Sequence, residues 1–336
     1  MLDHLENPWD IAFLPDKTML ITERSGSVSR VVNGQKTEIF TPSDVVVRGE
    51  GGMLGLAIDP EFATNHFIYT CFNSDRAGLD VRVVRWELTP DNSRQVGRTD
   101  IVTGLPANPS GRHSGCRIGF GPEGNLWVGT GDAADEDNSQ NLQSLGGKIL
   151  RVTRDGEAAT DNNPPAGADK RIYSWGHRNT QGLAFYDQLT DGSYGVSAEH
   201  GSDRDDEINP LVRGNFGWAP GAGYDESVPM TDTNRFPDAV KSIWSSGNPT
   251  IAISGVAFLT GEQWGTWQNR LAVAVLKDQH LMVLEIKPGN NSGEVQKLLP
   301  GNFGRLRAVR IGPDGALYIS TDNGSDDKII RLSPKS

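Results

Sequence analysis

The segment SGRHSGCRIGF places His113 immediately before an alternating apolar run. An imidazole titrates near neutral pH, so it suits proton abstraction. The hairpin pattern that follows, CRIGF–GPEGN–LWVGTGD, returns the chain so that Asp132 comes level with His113. A carboxylate there would fix the imidazole tautomer and support the imidazolium. A loop histidine on its own is more often an ordinary surface residue, so the case rests on Asp132.

Three further groups carry charge chemistry. In WGHRNTQGLAF, Arg178, Asn179 and Gln181 precede another apolar run. The guanidinium of Arg178 offers a fixed fork of donors to an anion or a developing oxyanion, or, more blandly, to loop carbonyls. In GRLRAV, Arg305 and Arg307 are two apart and so share one face of a strand. Like charges so placed repel unless an anion lies between them, and the sequence supplies no neighbouring acid at that spot. A multiply charged carboxylate ligand answers this, as would a structural salt bridge. Lys277 follows the strand pattern LAVAV. Finally, EHGSDRDDEINP holds five acidic residues between Glu199 and Glu207. Such oxygen-rich loops bind calcium through carboxylates and backbone carbonyls, although the spacing is not that of an EF-hand. A solvated acidic loop is the plainer reading.

These residues are positioned by a recurring phrase: an alternating apolar run, a turn, and a second apolar run. Six copies occur, among them WDIAFLPDKTMLIT, CRIGFGPEGNLWVGT and AVRIGPDGALYIS. Their turn positions, Pro15, Pro60, Pro122, Asp187, Thr260 and Pro313, are 45 to 73 residues apart. Alternation predicts half-buried strands, and PDK, PEG and PDG are hairpin turn chemistry. A third strand follows several pairs, as in 81–88, 147–152, 281–286 and 328–332. Six equivalent hairpins suit radial repetition better than a two-sheet sandwich. The fold expected is all-β, a six-bladed β-propeller in one domain over residues 1–336. Polar insertions at 104–114, 131–145, 154–170, 199–210 and 218–250 are then loops, where binding and catalysis usually reside.

Composition narrows the function. The formal net charge of −11 argues against a nucleic-acid partner, which needs many cationic phosphate contacts. No apolar run of about 18 residues exists, so no membrane-inserted helix is expected. Cys71 and Cys116 lack a CxxC spacing, which disfavours zinc and dithiol redox chemistry. They are either two buried thiols or one disulfide. No leader peptide is visible at the start, which suits either a cytoplasmic chain or a mature exported form.

The ordered set GEGGMLGLAIDPEF, GRHSGCRIGFGPEGNLWVGTGD, YSWGHRNTQGLAF, EHGSDRDDEIN with GNFGW, LAVAVLKDQHLMVL and GRLRAVRIGPDGALYISTD resembles the soluble aldose sugar dehydrogenases dependent on pyrroloquinoline quinone (PQQ). The resemblance runs from about Asn7 to the C-terminus. It implies a six-bladed propeller with PQQ on its axis, calcium, an aldose sugar as substrate, an external electron acceptor, and a periplasmic or secreted location. By motif, it implies that His113 is the base, Asp132 its partner, and Arg178 the group beside the reactive quinone carbonyl. Asn179 and Gln181 would contact PQQ or position its neighbours. Lys277, Arg305 and Arg307 would hold the PQQ carboxylates. Backbone carbonyls of Gly201 and Ser202 would bind calcium. Three departures stand out. Glu50 occupies a place where Gln is common, Ser202 one where Pro is common, and only Met1–Glu6 remain for the strand that closes the ring, so weak closure is expected. A calcium-dependent lactonase or esterase, which would want several axial carboxylates, is an alternative on the same ring. So is a non-catalytic binding scaffold.

Overall fold

The computed structural model describes residues 2–186, 192–287, 289 and 291–334. Six antiparallel sheets, each at heart four-stranded, are arranged as a six-bladed β-propeller. The inner strands, in order, are Pro8–Phe13, Met53–Ile58, Gly115–Phe120, Thr180–Phe185, Ile253–Phe258 and Leu306–Ile311. Each packs beside the next, and the sixth packs beside the first. The repeated hairpins are thus the two innermost strands of each blade. The turn position Asp187 lies outside the described residues.

Inner strands crowd together near the axis, and their small residues answer that crowding. A Cβ on Gly55 would run into the carbonyl of Cys116 in the next blade, and one on Gly255 would sit 2.8 Å from the Cα of Ala308. Away from the axis the blades diverge, and the gap is filled by apolar side chains. Between blades two and three these include Leu54, Val83, Ile118, Val128 and Leu150; between blades four and five, Val196, Ile208, Val256, Val273 and Met282. Full burial of each such side chain contributes roughly 1.5–3 kcal/mol. The core is therefore a ring of interblade layers, which leaves the axial mouth free for polar side chains.

The ring has a closing strand at the N-terminus. Leu2–Leu5 forms the outermost strand of blade six, pairing Leu2 with Ile329 and Leu5 with Asp327. Leu5 is buried, and Asn7 donates its backbone N–H to Asp327 Oδ2 at 3.1 Å. Arg310 of blade six also reaches Asp10 of blade one at 3.2 Å. A few residues suffice because the seam is held by side chains as well as by one strand. The acidic stretch differs from expectation: Glu207–Pro210 is the third strand of blade four, paired with Gly195–Glu199, and not loop.

Cys71 and Cys116 form a disulfide, with their Cα atoms 6.0 Å apart. It ties the second strand of blade two to the inner strand of blade three, three residues from His113. For the 45-residue separation it closes, chain entropy gives a contribution of about 4 kcal/mol. Thiol titration of oxidised protein in denaturant should therefore find no free thiol, and a Cys71→Ser, Cys116→Ser variant should melt well below the wild type. Two reactive thiols per chain would contradict the bridge.

Candidate functional site

All the singled-out residues lie at one end of the propeller, where inner strands begin and second strands finish. His113 precedes the inner strand of blade three with a left-handed backbone (φ 51°) and is buried. Asp132 follows the second strand of the same hairpin. Its approach needs glycine at 131, because a Cβ there would collide with the His113 carbonyl. His113 Nδ1 lies 2.7 Å from Asp132 Oδ1. Asp132 Oδ1 also accepts the Ala134 N–H at 2.8 Å, and Oδ2 accepts the Trp218 indole N–H at 2.8 Å and the Tyr224 hydroxyl at 2.7 Å. Burial alone would raise the Asp132 pKa. The hydrogen bond to His113, with that of Trp218 and the charge of Arg178, outweighs it and holds the carboxyl below its ordinary range. An ionised, fully bonded Asp132 places the imidazole proton on Nδ1 and leaves the lone pair on Nε2.

Glu50 supports this dyad from blade two. One of its oxygens accepts the His113 backbone N–H, and the other accepts Asn179 Nδ2 at 3.1 Å. Asn179 Oδ1 accepts the Gly115 N–H at 3.1 Å and Gln181 Nε2 at 3.1 Å. Gln181 Oε1 in turn accepts Arg307 Nη1 at 2.9 Å. A continuous chain of hydrogen bonds thus crosses the axis from Glu50 to Arg307. Asn179 and Gln181 are links in that chain, each with its amide groups engaged by protein.

The arginine pair departs from expectation in one respect. Arg307 does have a neighbouring acid: Asp322, brought alongside by the second strand of blade six, accepts Nε at 2.9 Å and Nη2 at 2.5 Å. The Asp322 carboxyl would be raised by burial, but the charge and hydrogen bonds of Arg307, with Asn7 and Arg305, lower it to about 2. Among the described residues the Arg305 guanidinium gains only the Asp322 backbone carbonyl, at 3.2 Å from its Nε. Burial, joined by the charges of Arg307 and Arg24, lowers its pKa, with Asp322 offsetting only part. One carboxylate, Asp322, therefore serves two guanidiniums, Arg307 directly and Arg305 by charge alone. Lys277 sits exposed at the rim, its Nζ 3.4 Å from Thr250 Oγ1, and is not drawn into the cluster.

Arg178 rests over the Trp218 ring, donates to the His200 carbonyl at 3.0 Å, and pairs with Glu226 at 2.9 Å. Its Nε is buried and has no partner among the described residues. Behind it, Glu199 accepts the Arg178 backbone N–H at 2.8 Å and His177 Nδ1 at 3.0 Å. The acidic stretch is neither a solvated loop nor a ring of carboxylates aimed at a metal. Glu199, Asp206 and Glu207 are buried, and Asp206 accepts the N–H groups of Gly201, Ile251 and Ala252 at 3.0, 2.7 and 2.6 Å. Among the described residues no group of three or more His, Cys, Asp or Glu side chains is placed to hold a metal. The backbone carbonyls of Gly201 and Ser202 accept no hydrogen bond among the described residues.

Glu207 yields a pH-dependent expectation. Burial, then the charge of Glu199, pushes its carboxyl up to about 8 despite hydrogen bonds from Thr231 and Asn209. The folded state therefore binds this proton more tightly than the unfolded chain, and stability falls as pH rises from the ordinary 4.5 towards 8. Glu207→Gln removes the buried charge and keeps an acceptor for Thr231, at the loss of the long 3.3 Å bond accepted from Asn209 Nδ2. The variant should melt roughly 5 °C or more above wild type at pH 8, with the gap closing towards pH 5. Thermal scans across that range check it.

Sequence reasoning missed Trp218, Tyr224, Glu226 and Asp322. The last had a signal: VGTGD and YISTD end equivalent hairpins, so the argument that found Asp132 applies to Asp322 too. Tyr224 and Glu226 lie in a long irregular loop without periodicity.

The glucose/sorbosone dehydrogenase family model matches residues 5–331. The chain belongs to that family. It is an oxidoreductase, which displaces the lactonase and scaffold alternatives. It is 31% identical over 352 residues to an aldose sugar dehydrogenase of Escherichia coli, with 99% of this chain and 92% of that protein covered. The structure of the PQQ-bound form of aldose sugar dehydrogenase from Streptomyces coelicolor is 33% identical, with a TM-score of 0.82 over 99% of this chain and 95% of that one. The apo form of the soluble E. coli aldose sugar dehydrogenase is 29% identical, with a TM-score of 0.88 over 99% and 98% of the two chains. Among the described residues no helix is long and apolar enough to cross a membrane.

Proposed function

We propose that this chain oxidises aldose sugars to lactones with bound PQQ and calcium, outside the cytoplasm, and passes the electrons to an external acceptor. The observation that carries the reading is the mouth itself: a His113–Asp132 dyad beside Arg305 and Arg307, two guanidiniums that share the single carboxylate of Asp322. The donors fit a multiply charged quinone acid. Arg178 Nε is buried and has no partner among the described residues, and Arg305 and the rim residue Lys277 can turn to carboxylates. The unengaged carbonyls of Gly201 and Ser202 suit a hard cation. Asn179 and Gln181 hold Arg307 and the inner strands in place around the cofactor. When bound, PQQ would supply a two-electron hydride acceptor and calcium a Lewis acid.

The protein's own part is proton handling and field. His113 Nε2 takes the proton from the anomeric hydroxyl as that carbon loses hydride and its second carbon–oxygen bond forms. Asp132 stabilises the resulting imidazolium. Arg178 supplies positive charge and donors to a cofactor oxygen. Glu50 fixes the His113 backbone, so the base stays aimed. The disulfide accords with an oxidising compartment.

The test is reconstitution. Purified protein given PQQ and Ca²⁺ should bleach a dye acceptor with aldoses, EGTA should abolish the activity, and Ca²⁺ should restore it. Full activity after exhaustive chelation would overturn the calcium role, and no PQQ-dependent turnover with any aldose would overturn the reading.

A further inference from the structure

We propose that Glu226 selects substrates by charge, admitting neutral and amino sugars and turning away anionic ones such as uronates. This rests on the sugar-oxidising reading above and adds a residue to which neither the sequence motifs nor the family description gives a role.

The loop that carries Glu226 crosses the mouth and is anchored beside the dyad. Tyr224 bonds Asp132 at 2.7 Å and lies 3.0 Å from His113 Nδ1. The Glu226 backbone carbonyl accepts the Ser202 hydroxyl at 2.9 Å. Between these anchors the Glu226 carboxylate spans two arginines, Arg178 at 2.9 Å and Arg112 at 2.6 Å. Its side chain is 26% exposed, whereas that of Arg178 is 6% and that of Arg112 54% exposed. The carboxylate therefore looks inward to a buried cation and outward to a solvated one. Burial would raise its pKa, but Arg178, Arg112 and His113 outweigh that and keep it ionised.

A carboxylate in this place has one chemical character. It accepts hydrogen bonds and donates none, so sugar hydroxyls and ammonium groups match it and a second carboxylate does not. Arg112, open to water and salt, offsets only part of that charge for an incoming sugar, so its removal leaves the mouth more negative. The loop's path does not require the carboxylate, since the Tyr224 and Ser202 bonds and the Gly221–Asp225 bridge already hold it. The carboxylate, paired with Arg178 and Arg112 yet partly exposed, thus helps set the charge met by whatever enters beside the dyad.

The experiment compares kcat/KM for glucose, glucuronate and glucosamine at low ionic strength in wild type, Glu226→Gln and Arg112→Gln. Removing the negative charge should raise the glucuronate-to-glucose ratio roughly tenfold and lower the glucosamine-to-glucose ratio, and both shifts should shrink in high salt. Arg112→Gln should move both ratios the opposite way. Methyl glucoside and methyl glucuronide, whose anomeric oxygens are blocked, give the same comparison by saturation-transfer NMR without turnover. Ratios within twofold of wild type in Glu226→Gln, or the same direction in both variants, would overturn the proposal. If Glu226→Gln does not fold, Arg112→Gln alone still reads the sign. Wild type inactive on every aldose would instead defeat the functional reading, with the NMR ratios left to judge Glu226.

Discussion

His113→Ala should reduce aldose turnover by about 10²-fold or more while PQQ still binds, because general-base catalysis typically contributes a factor of that order. The imidazole is held on three sides: Asp132 at 2.7 Å, Tyr224 at 3.0 Å and the Glu50 bond to its backbone. Its Nε2 is the nitrogen left for substrate. None of its contacts is to the arginine cluster, so cofactor affinity should change little. The loss should appear in kcat more than in KM. Asp132→Asn should also lower kcat, since an amide can donate to Nδ1 and impose the wrong tautomer. It should in addition cost stability, because Trp218 and Tyr224 both donate to the buried carboxylate. Steady-state kinetics on spectrally verified holoenzyme would settle the point. A reconstituted His113→Ala enzyme with near wild-type kcat would remove His113 from the mechanism.

The second large effect is at Arg307. Arg307→Ala should weaken PQQ binding by one to two orders of magnitude, since a hydrogen bond to a charged group contributes about 1.5–3 kcal/mol. It should also destabilise the fold, as the salt-bridge reading of this arginine pair requires. Asp322 loses its partner while buried, and breaking such a pair typically costs about 3–5 kcal/mol. Arg305→Ala removes a guanidinium bound only to a carbonyl. It should weaken PQQ binding with little change in melting temperature. The two variants therefore separate a clamp from a structural salt bridge. The pH dependence follows from Asp322, lowered to about 2 in the fold against an ordinary 3.8. The pair's contribution is complete above that ordinary value and is lost as pH falls through about 2, so the stability gap between wild type and Arg307→Ala should narrow in acid. Fluorescence titration of PQQ and acid melting curves measure the two halves. Unchanged PQQ affinity in both variants would eliminate the clamp.

Much of the site was legible because hairpins are local. His113 and Asp132 are 19 residues apart on one hairpin, and strand alternation brings them level. Asp322 stands in the same relation to Arg307 on the hairpin of the sixth repeat. The acidic stretch was misread for another reason. Glu199 and Glu207 are opposite one another on paired strands, so their faces are set by sheet register, and charge count alone does not report burial. Lys277 was placed at the correct end of the propeller, but whether a long, exposed side chain reaches the arginines is not a property of its strand.

What the sequence determined by itself was the architecture and the polarity of the site. Six alternating hairpins dictate six blades, and polar residues at the start of each inner strand dictate one chemically equipped end, because a period of two is written directly in the residues. The tertiary structure decided which distant residues meet there. Glu50 reaches Asn179 across 129 positions, Gln181 reaches Arg307 across 126, and Tyr224 reaches His113 across 111. The same closure chose a disulfide for Cys71 and Cys116, let four N-terminal residues seal the ring, and laid Glu226 over Arg178. The physical reason is that the cost of closing a long loop grows only slowly with its length. Separation along the chain therefore says almost nothing about which partners meet, and that choice falls to the packing of blades around a common axis.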